Sequence, residues 1–145
     1  SYELAALFLA DRINHNVNTS GGILHFLDTD AIVISDRYYY SSLAYQGIDA
    51  DFEWVKNINF TCPKIAKPDL CIFLDLPPEN SMDRIKQNRE RVEIFEQEDL
   101  LSKIRDRFFY VFDRLKCSEN IAVIDASRDI DTISNDILKR VLDIL

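Results

Sequence analysis

Glycine is scarce in this chain: of 145 residues only Gly21, Gly22 and Gly47 are glycine, and none precedes Lys-Ser or Lys-Thr. A G-x-x-x-x-G-K-[ST] loop, whose backbone amides close around phosphates, is therefore missing. Cysteine is equally sparse. Cys62, Cys71 and Cys117 are odd in number, lack C-x-x-C spacing and pair with no histidine, so they read as thiols of a reducing compartment rather than as disulfides or a zinc site. No apolar run approaches the roughly 18 residues of a membrane span, and no signal-peptide pattern opens the chain. A cytoplasmic protein with no membrane partner is expected. Bases are in deficit, 17 against 25 acids for a net charge of -8, which is the wrong sign for a general nucleic-acid or anionic-membrane surface. A few focused arginines can still grip one small anion. Methionine occurs once, at Met82, and the chain enters a helical pattern directly at Ser1. It reads like a sequence that begins in the middle.

What is present suffices for one core. Apolar residues make up 47% of the chain and charged residues 29%, the balance of a soluble globular protein, and a domain of this size buries about two-thirds of its unfolded surface. Tyr2, Ala6, Leu9, Ile13 and Val17 recur at spacings of three or four and predict a helix over 2–18 with one apolar stripe; Phe8 and Arg12 lie four apart on a neighbouring face. Thr19-Ser20-Gly21-Gly22 breaks that helix, and ILHFLDTD reads as a short helical turn leading to a strand. AIVIS (31–35), DLCIFLD (69–75) and IAVID (121–125) are continuous apolar runs, the pattern of parallel strands covered on both faces. Helical patterns follow at 79–88, behind Pro77-Pro78, at 99–116, and at 130–145 with Asp129 as N-cap. This alternation predicts an α/β fold with a parallel sheet, without repeats or a second domain. Phe108, Phe109 and Phe112 exceed what one helix stripe needs and point to a homodimer interface.

Chemistry concentrates in IVISDRYYYSSLAYQG (32–47). Ligands of open parallel sheets bind beyond the carboxyl ends of strands, and AIVIS ends there at Asp36 and Arg37. The plain alternative is a rim ion pair. Their company favours a site: Ser41, Ser42, Tyr45 and Gln46 follow within about a turn and a half of helix ending at Gly47. A guanidinium, two hydroxyls and an amide converging near a strand end suit a phosphate and a planar base.

SDRYYYSSLAYQG resembles the DR[YH] signature region of the thymidylate kinases, enzymes that pass a phosphoryl group from ATP to thymidine monophosphate. LFLADR resembles the family's helix carrying a stacking phenylalanine and a base-reading arginine, KPDLCIFLDLPPE its fourth strand, RERVEIFEQ its lid and lid exit, and IDAS its adenine-side loop. The order is the same, and the resemblance covers nearly the whole chain. It implies a P-loop NTPase-like, nucleoside monophosphate kinase fold, with a parallel sheet flanked by helices in one domain over 1–145 and a lid at 84–97. Phe8 would stack on the thymine ring and Arg12 hydrogen-bond a base carbonyl, since residues four apart share a helix face; otherwise Phe8 reads as a core aromatic and Arg12 as a surface cation. Arg37 would hold the monophosphate and approach the transferring group, and Asp36 would sit near magnesium through water. Ser41 and Ser42 would line the nucleotide pocket unless they cap the helix, with Tyr45 and Gln46 closing it around sugar and base. Tyr38, Tyr39 and Tyr40 cannot all point inward on one turn. Arg84, Arg89 and Arg91 fall in the lid, where an arginine reaching the phosphates stabilises transferred charge. Arg91 and Arg84 rank ahead of Arg89, and Glu93 orients Arg91; the plain alternative is a solvated charged helix balanced by Glu90 and Glu93. Ser127 would lie on the adenine side. The implied partners are ATP, Mg2+, dTMP and a second copy of the chain.

The chain departs from this family at the missing phosphate cradle. In the family the cradle-bearing strand lies between the strands matching 31–35 and 69–75. Its loss would leave a slot of unsatisfied amides and carbonyls at about 1 to 3 kcal/mol each. The expectation is that 1–145 is the later part of a longer chain, with the first strand or strands absent. A related deoxynucleoside kinase, a non-catalytic nucleotide-binding homologue, or a fragment without turnover are the competing readings.

Overall fold

The computed structural model describes residues 1–80 and 94–145, with side chains from residue 99 onward in the second stretch. These form two compact units, Ser1–Lys67 and Pro68–Leu145.

In the first unit, α1 (Tyr2–Val17) begins where the Ser1 hydroxyl accepts from the Leu4 N–H. Its inward face coincides only in part with the predicted stripe. Leu9 and Ile13 of that stripe are half-buried, but Tyr2, Ala6 and Val17 are exposed, while Ala5 and Asn16 are buried and Arg12 is half-buried. The spacing 5, 12, 16 is still helical, but two of its three members are polar, which apolar periodicity cannot register. The break after Val17 is as expected. Gly22 donates to the Asn18 carbonyl at 2.7 Å, and a Cβ there would lie 2.5 Å from that oxygen and 2.7 Å from the Asn16 carbonyl, so close backbone approach demands glycine. Next come α2 (Ile23–Leu27), α3 (Tyr39–Tyr45) with a 3-10 turn at Gln46–Ile48, and α4 (Phe52–Phe60). The sequence reading did not single out α4, although Asp51 signals its start by accepting from the Trp54 N–H at 2.7 Å. Tyr2 ties α1 to α4, its ring edge-on to Trp54 at 4.9 Å and its hydroxyl accepting from the Asp51 N–H. Leu43 and Val55 are wholly buried between α3 and α4, each contributing about 1.5 to 3 kcal/mol.

Residues 31–35 do not form the predicted strand. They make no ladder with any described residue, and Ile32 and Ile34 are 67% and 92% exposed. A strand exists only with a partner, so an apolar run without one stays irregular.

The second unit is built on two parallel strands, β1 (Cys71–Asp75) and β2 (Ile121–Asp125), in register from Cys71–Ile121 to Asp75–Asp125. β1 is two residues shorter than predicted. β2 is not covered on both faces: Ala122 and Ile124 are buried while Val123 and Asp125 are exposed. Helix α5 (Ile94–Leu115) packs here with Val111 and Leu115 wholly buried. Phe108, Phe109 and Phe112 all surround Phe73, with centroids at 5.0, 5.9 and 5.0 Å. Of these rings Phe112 is buried, while Phe108 and Phe109 are half-buried. Asp75 closes the end of β1 against α5, its two carboxylate oxygens accepting from Arg105 Nε and Nη2 at 2.6 and 2.8 Å. Helix α6 (Ile130–Leu142) has the expected cap, Asp129 accepting from the Thr132 N–H at 2.8 Å. Of the helix predicted at 79–88, only its start, helical from 78 to 80, lies among the described residues. All three cysteines are free thiols, and burial, aided by the Glu119 carboxylate, pushes Cys71 up to about 11.

Candidate active site

The first unit gathers most of the predicted residues. Arg12 sits on the inward side of α1, where its guanidinium donates through Nη1 to Asn59 Oδ1 and through Nη2 to Ser42 Oγ at 2.8 Å. Burial pushes its pKa below the usual arginine value, while the nearby Tyr38, Asp11 and Tyr39 pull the other way. The surface-cation reading of Arg12 is therefore wrong. Capping does not explain Ser42 either, since it lies inside α3 and the N-cap residue Tyr38 makes no side-chain cap bond. Of five guanidinium N–H donors, two are spent on Asn59 and Ser42, and the other three have no hydrogen-bond partner among the described residues; the guanidinium also lies 5.6 Å over the Tyr38 ring.

Phe8, one turn before Arg12, is 46% exposed, so it is not a core aromatic. Gln46 is buried, yet its side-chain amide has no hydrogen-bond partner among the described residues. Ser41 is half-buried, and its hydroxyl has no partner among the described residues.

Arg37 follows the irregular 31–35 segment with φ at 65°, the left-handed region that a non-glycine residue enters only at a cost. Three contacts surround this backbone. Ser35 Oγ donates to the Arg37 carbonyl at 2.8 Å, the guanidinium lies 5.4 Å over the Tyr45 ring, and Nη2 is 3.4 Å from the Tyr45 hydroxyl. Asp36 does not pair with Arg37, which removes the rim-ion-pair alternative; it is exposed and without a partner among the described residues. Magnesium takes one or two carboxylates and keeps several waters. A single free carboxylate fits that mode, and no group of three or more His, Cys, Asp or Glu able to hold a metal occurs among the described residues.

Of the three tyrosines, Tyr39 and Tyr40 are core, with Tyr39 also 4.8 Å from Phe60. Tyr38 is half-buried, its hydroxyl 3.0 Å from Asn16 Oδ1 and 2.9 Å from the Ala66 carbonyl. Asn16 and Asn59 were not anticipated. The available signal was a polar residue one turn beyond an inward-facing one, Asn16 after Arg12 and Asn59 after Val55.

A family model described as thymidylate kinase matches residues 1–137, across both units. The chain belongs to the thymidylate kinase family. It is 38% identical over 145 residues to a probable thymidylate kinase of Staphylothermus marinus, covering 99% of this chain and 67% of that relative. A probable thymidylate kinase 1 of Saccharolobus solfataricus is 38% identical over 143 residues, covering 98% and 66%. The thymidylate kinase of Ligilactobacillus salivarius is 35% identical over 139 residues, covering 92% and 64%. The chain thus spans about two thirds of the length of these curated relatives. The family has the P-loop NTPase fold, and the parallel β1–β2 pair with its helices is a part of that α/β architecture.

In the second unit, Ser127 closes a turn after β2, its N–H and hydroxyl both donating to Asp125 Oδ1 at 2.9 and 2.6 Å. These bonds hold the Asp125 carboxyl below its ordinary range. Arg84, Arg89, Arg91 and Glu93 lie outside the described residues.

Proposed function

We propose that this protein transfers the γ-phosphoryl group of ATP to dTMP, giving dTDP. The observation that carries this reading is Arg12: a half-buried guanidinium held by Ser42 and Asn59, with three N–H groups to spare, one turn from an exposed aromatic ring. Phe8 stacks on the base and Arg12 donates to a base carbonyl. Ser41 and Gln46, whose side-chain polar groups have no partner among the described residues, line the same pocket, and Tyr45 closes it at the sugar. Arg37 takes the monophosphate, its planar fork matching phosphate oxygens as a lysine cannot.

Asp36 would hold a magnesium ion through water, and that ion, bound with ATP, would supply charge neutralisation at the nucleotide phosphates. From the sequence, Arg91 and Arg84, in preference to Arg89, would stabilise charge on the transferred group in a lid at 84–97, and Ser127 would lie on the adenine side. The protein works in the cytoplasm as a homodimer. No helix among the described residues is long and apolar enough to cross a membrane.

Coupled turnover assays of the intact protein with ATP, magnesium and each nucleoside monophosphate test this directly. dTMP is expected to be the preferred acceptor. Equal rates with all monophosphates would overturn the assignment, and tight dTMP binding without turnover would leave a non-catalytic homologue. Phe8→Ala is expected to weaken dTMP binding by about 1 to 3 kcal/mol, the scale of base–aromatic stacking, and to leave ATP binding unchanged. Calorimetric titration with each nucleotide reads this, and equal losses for both would make Phe8 a structural residue.

A further inference from the structure

We propose that Asn16 is a positioning residue, setting the separation between the arginine that reads the base and the arginine that holds the phosphate. The inference rests on the dTMP reading above. Asn16 is entirely buried, and its amide joins three pieces of the first unit. Nδ2 donates to the Arg12 carbonyl at 2.8 Å, and Oδ1 accepts from the Ala66 N–H at 2.9 Å and lies 3.0 Å from the Tyr38 hydroxyl.

The amide orientation follows from its partners. A backbone N–H can only donate and a carbonyl can only accept, so the oxygen must face Ala66 and the NH2 must face Arg12. Tyr38 has one proton for two acceptors, Asn16 Oδ1 and the Ala66 carbonyl, so its hydroxyl bridges them. Tyr38 follows Arg37 directly, and Arg37 has the left-handed backbone. The side chain one turn beyond Arg12 thus fixes the residue after Arg37. A nucleotide gripped at base and phosphate gains from both grips only if their separation matches its own length, and small misplacements are costly.

Asn16→Asp tests this with almost no change of shape. The carboxylate keeps the two acceptor contacts of Oδ1 but sets an oxygen against the Arg12 carbonyl, loosening α1 from the Tyr38 side. The readout is the ratio of the dissociation constants of thymidine and dTMP, measured by calorimetry on the intact protein; thymidine uses the base grip alone. The variant is expected to lower that ratio about tenfold while the thymidine constant stays within about threefold. Tyr38→Phe, which removes only the bridging hydroxyl, is expected to lower it at least about threefold.

Parallel weakening of thymidine and dTMP, or an unchanged ratio in either variant, overturns the proposal. If Asn16→Asp gives no cooperative melt, Tyr38→Phe decides alone, and failure of both to fold makes the cluster a stability device and also overturns it. A wild-type ratio near one would instead sink the dTMP reading itself.

Discussion

Replacing Arg37 by alanine should lower dTMP turnover by about 10³-fold or more, the scale of a lost transition-state arginine. The expectation comes from how the residue is held. A left-handed backbone at a non-glycine position costs about 1 to 2 kcal/mol, and here it persists with the carbonyl bound by Ser35 and the next residue pinned through Tyr38. The guanidinium is exposed, leans on Tyr45 and spends nothing on Asp36. A purely structural arginine would be paired. Steady-state kinetics on the intact protein measure the effect, with a melt to show that the fold survives. Arg37→Lys should recover little, because an ammonium is a point charge where two parallel donors are needed. A loss under about tenfold in Arg37→Ala would place the residue away from the reacting phosphate.

Legibility of this molecule in its sequence followed the kind of signal involved. Asp129, β2 and the break at Gly21-Gly22 were readable because caps, strand ends and turns depend on local chemistry. AIVIS was misread because a continuous apolar run states that a strand wants neighbours, not that it has them. The packing of the α5 phenylalanines was hidden for a related reason: a single ring on β1, Phe73, contacts all three, and no helical period reveals that. At the site, Ser42 was legible from its place after the Asp36-Arg37 pair, and Arg12 as a ligand-facing residue only through the family resemblance. Their union, 30 residues apart in sequence, depends on α1 and α3 packing together, and Asn59 completes it from the helix that sequence reading passed over. Polar residues on inward faces are where hydrophobic patterning falls silent.

Those polar contacts govern the second large effect. Arg12→Ala removes the donor to Asn59 Oδ1 and Ser42 Oγ, whose residues are only 2% and 3% exposed. Hydrogen bonds to a charged group contribute about 1.5 to 3 kcal/mol each, so losing one such bond to the base alone weakens dTMP binding roughly 10- to 150-fold. The protein's own two bonds are lost as well. Asn59 still donates to the Val55 carbonyl at 2.8 Å, but its buried oxygen is left without a donor, lowering stability on a similar scale. Binding and stability should therefore fall together in Arg12→Ala, and a melt alone cannot separate them. The nucleotides can: dTMP affinity is expected to drop roughly 10²-fold with ATP affinity unmoved, read by titration below the melting range. Arg12→Lys should not restore it, because one ammonium cannot reach Asn59, Ser42 and a base carbonyl in three different directions. If ATP and dTMP weaken alike, Arg12 is a strut of the α1–α4 packing, and the base is read elsewhere.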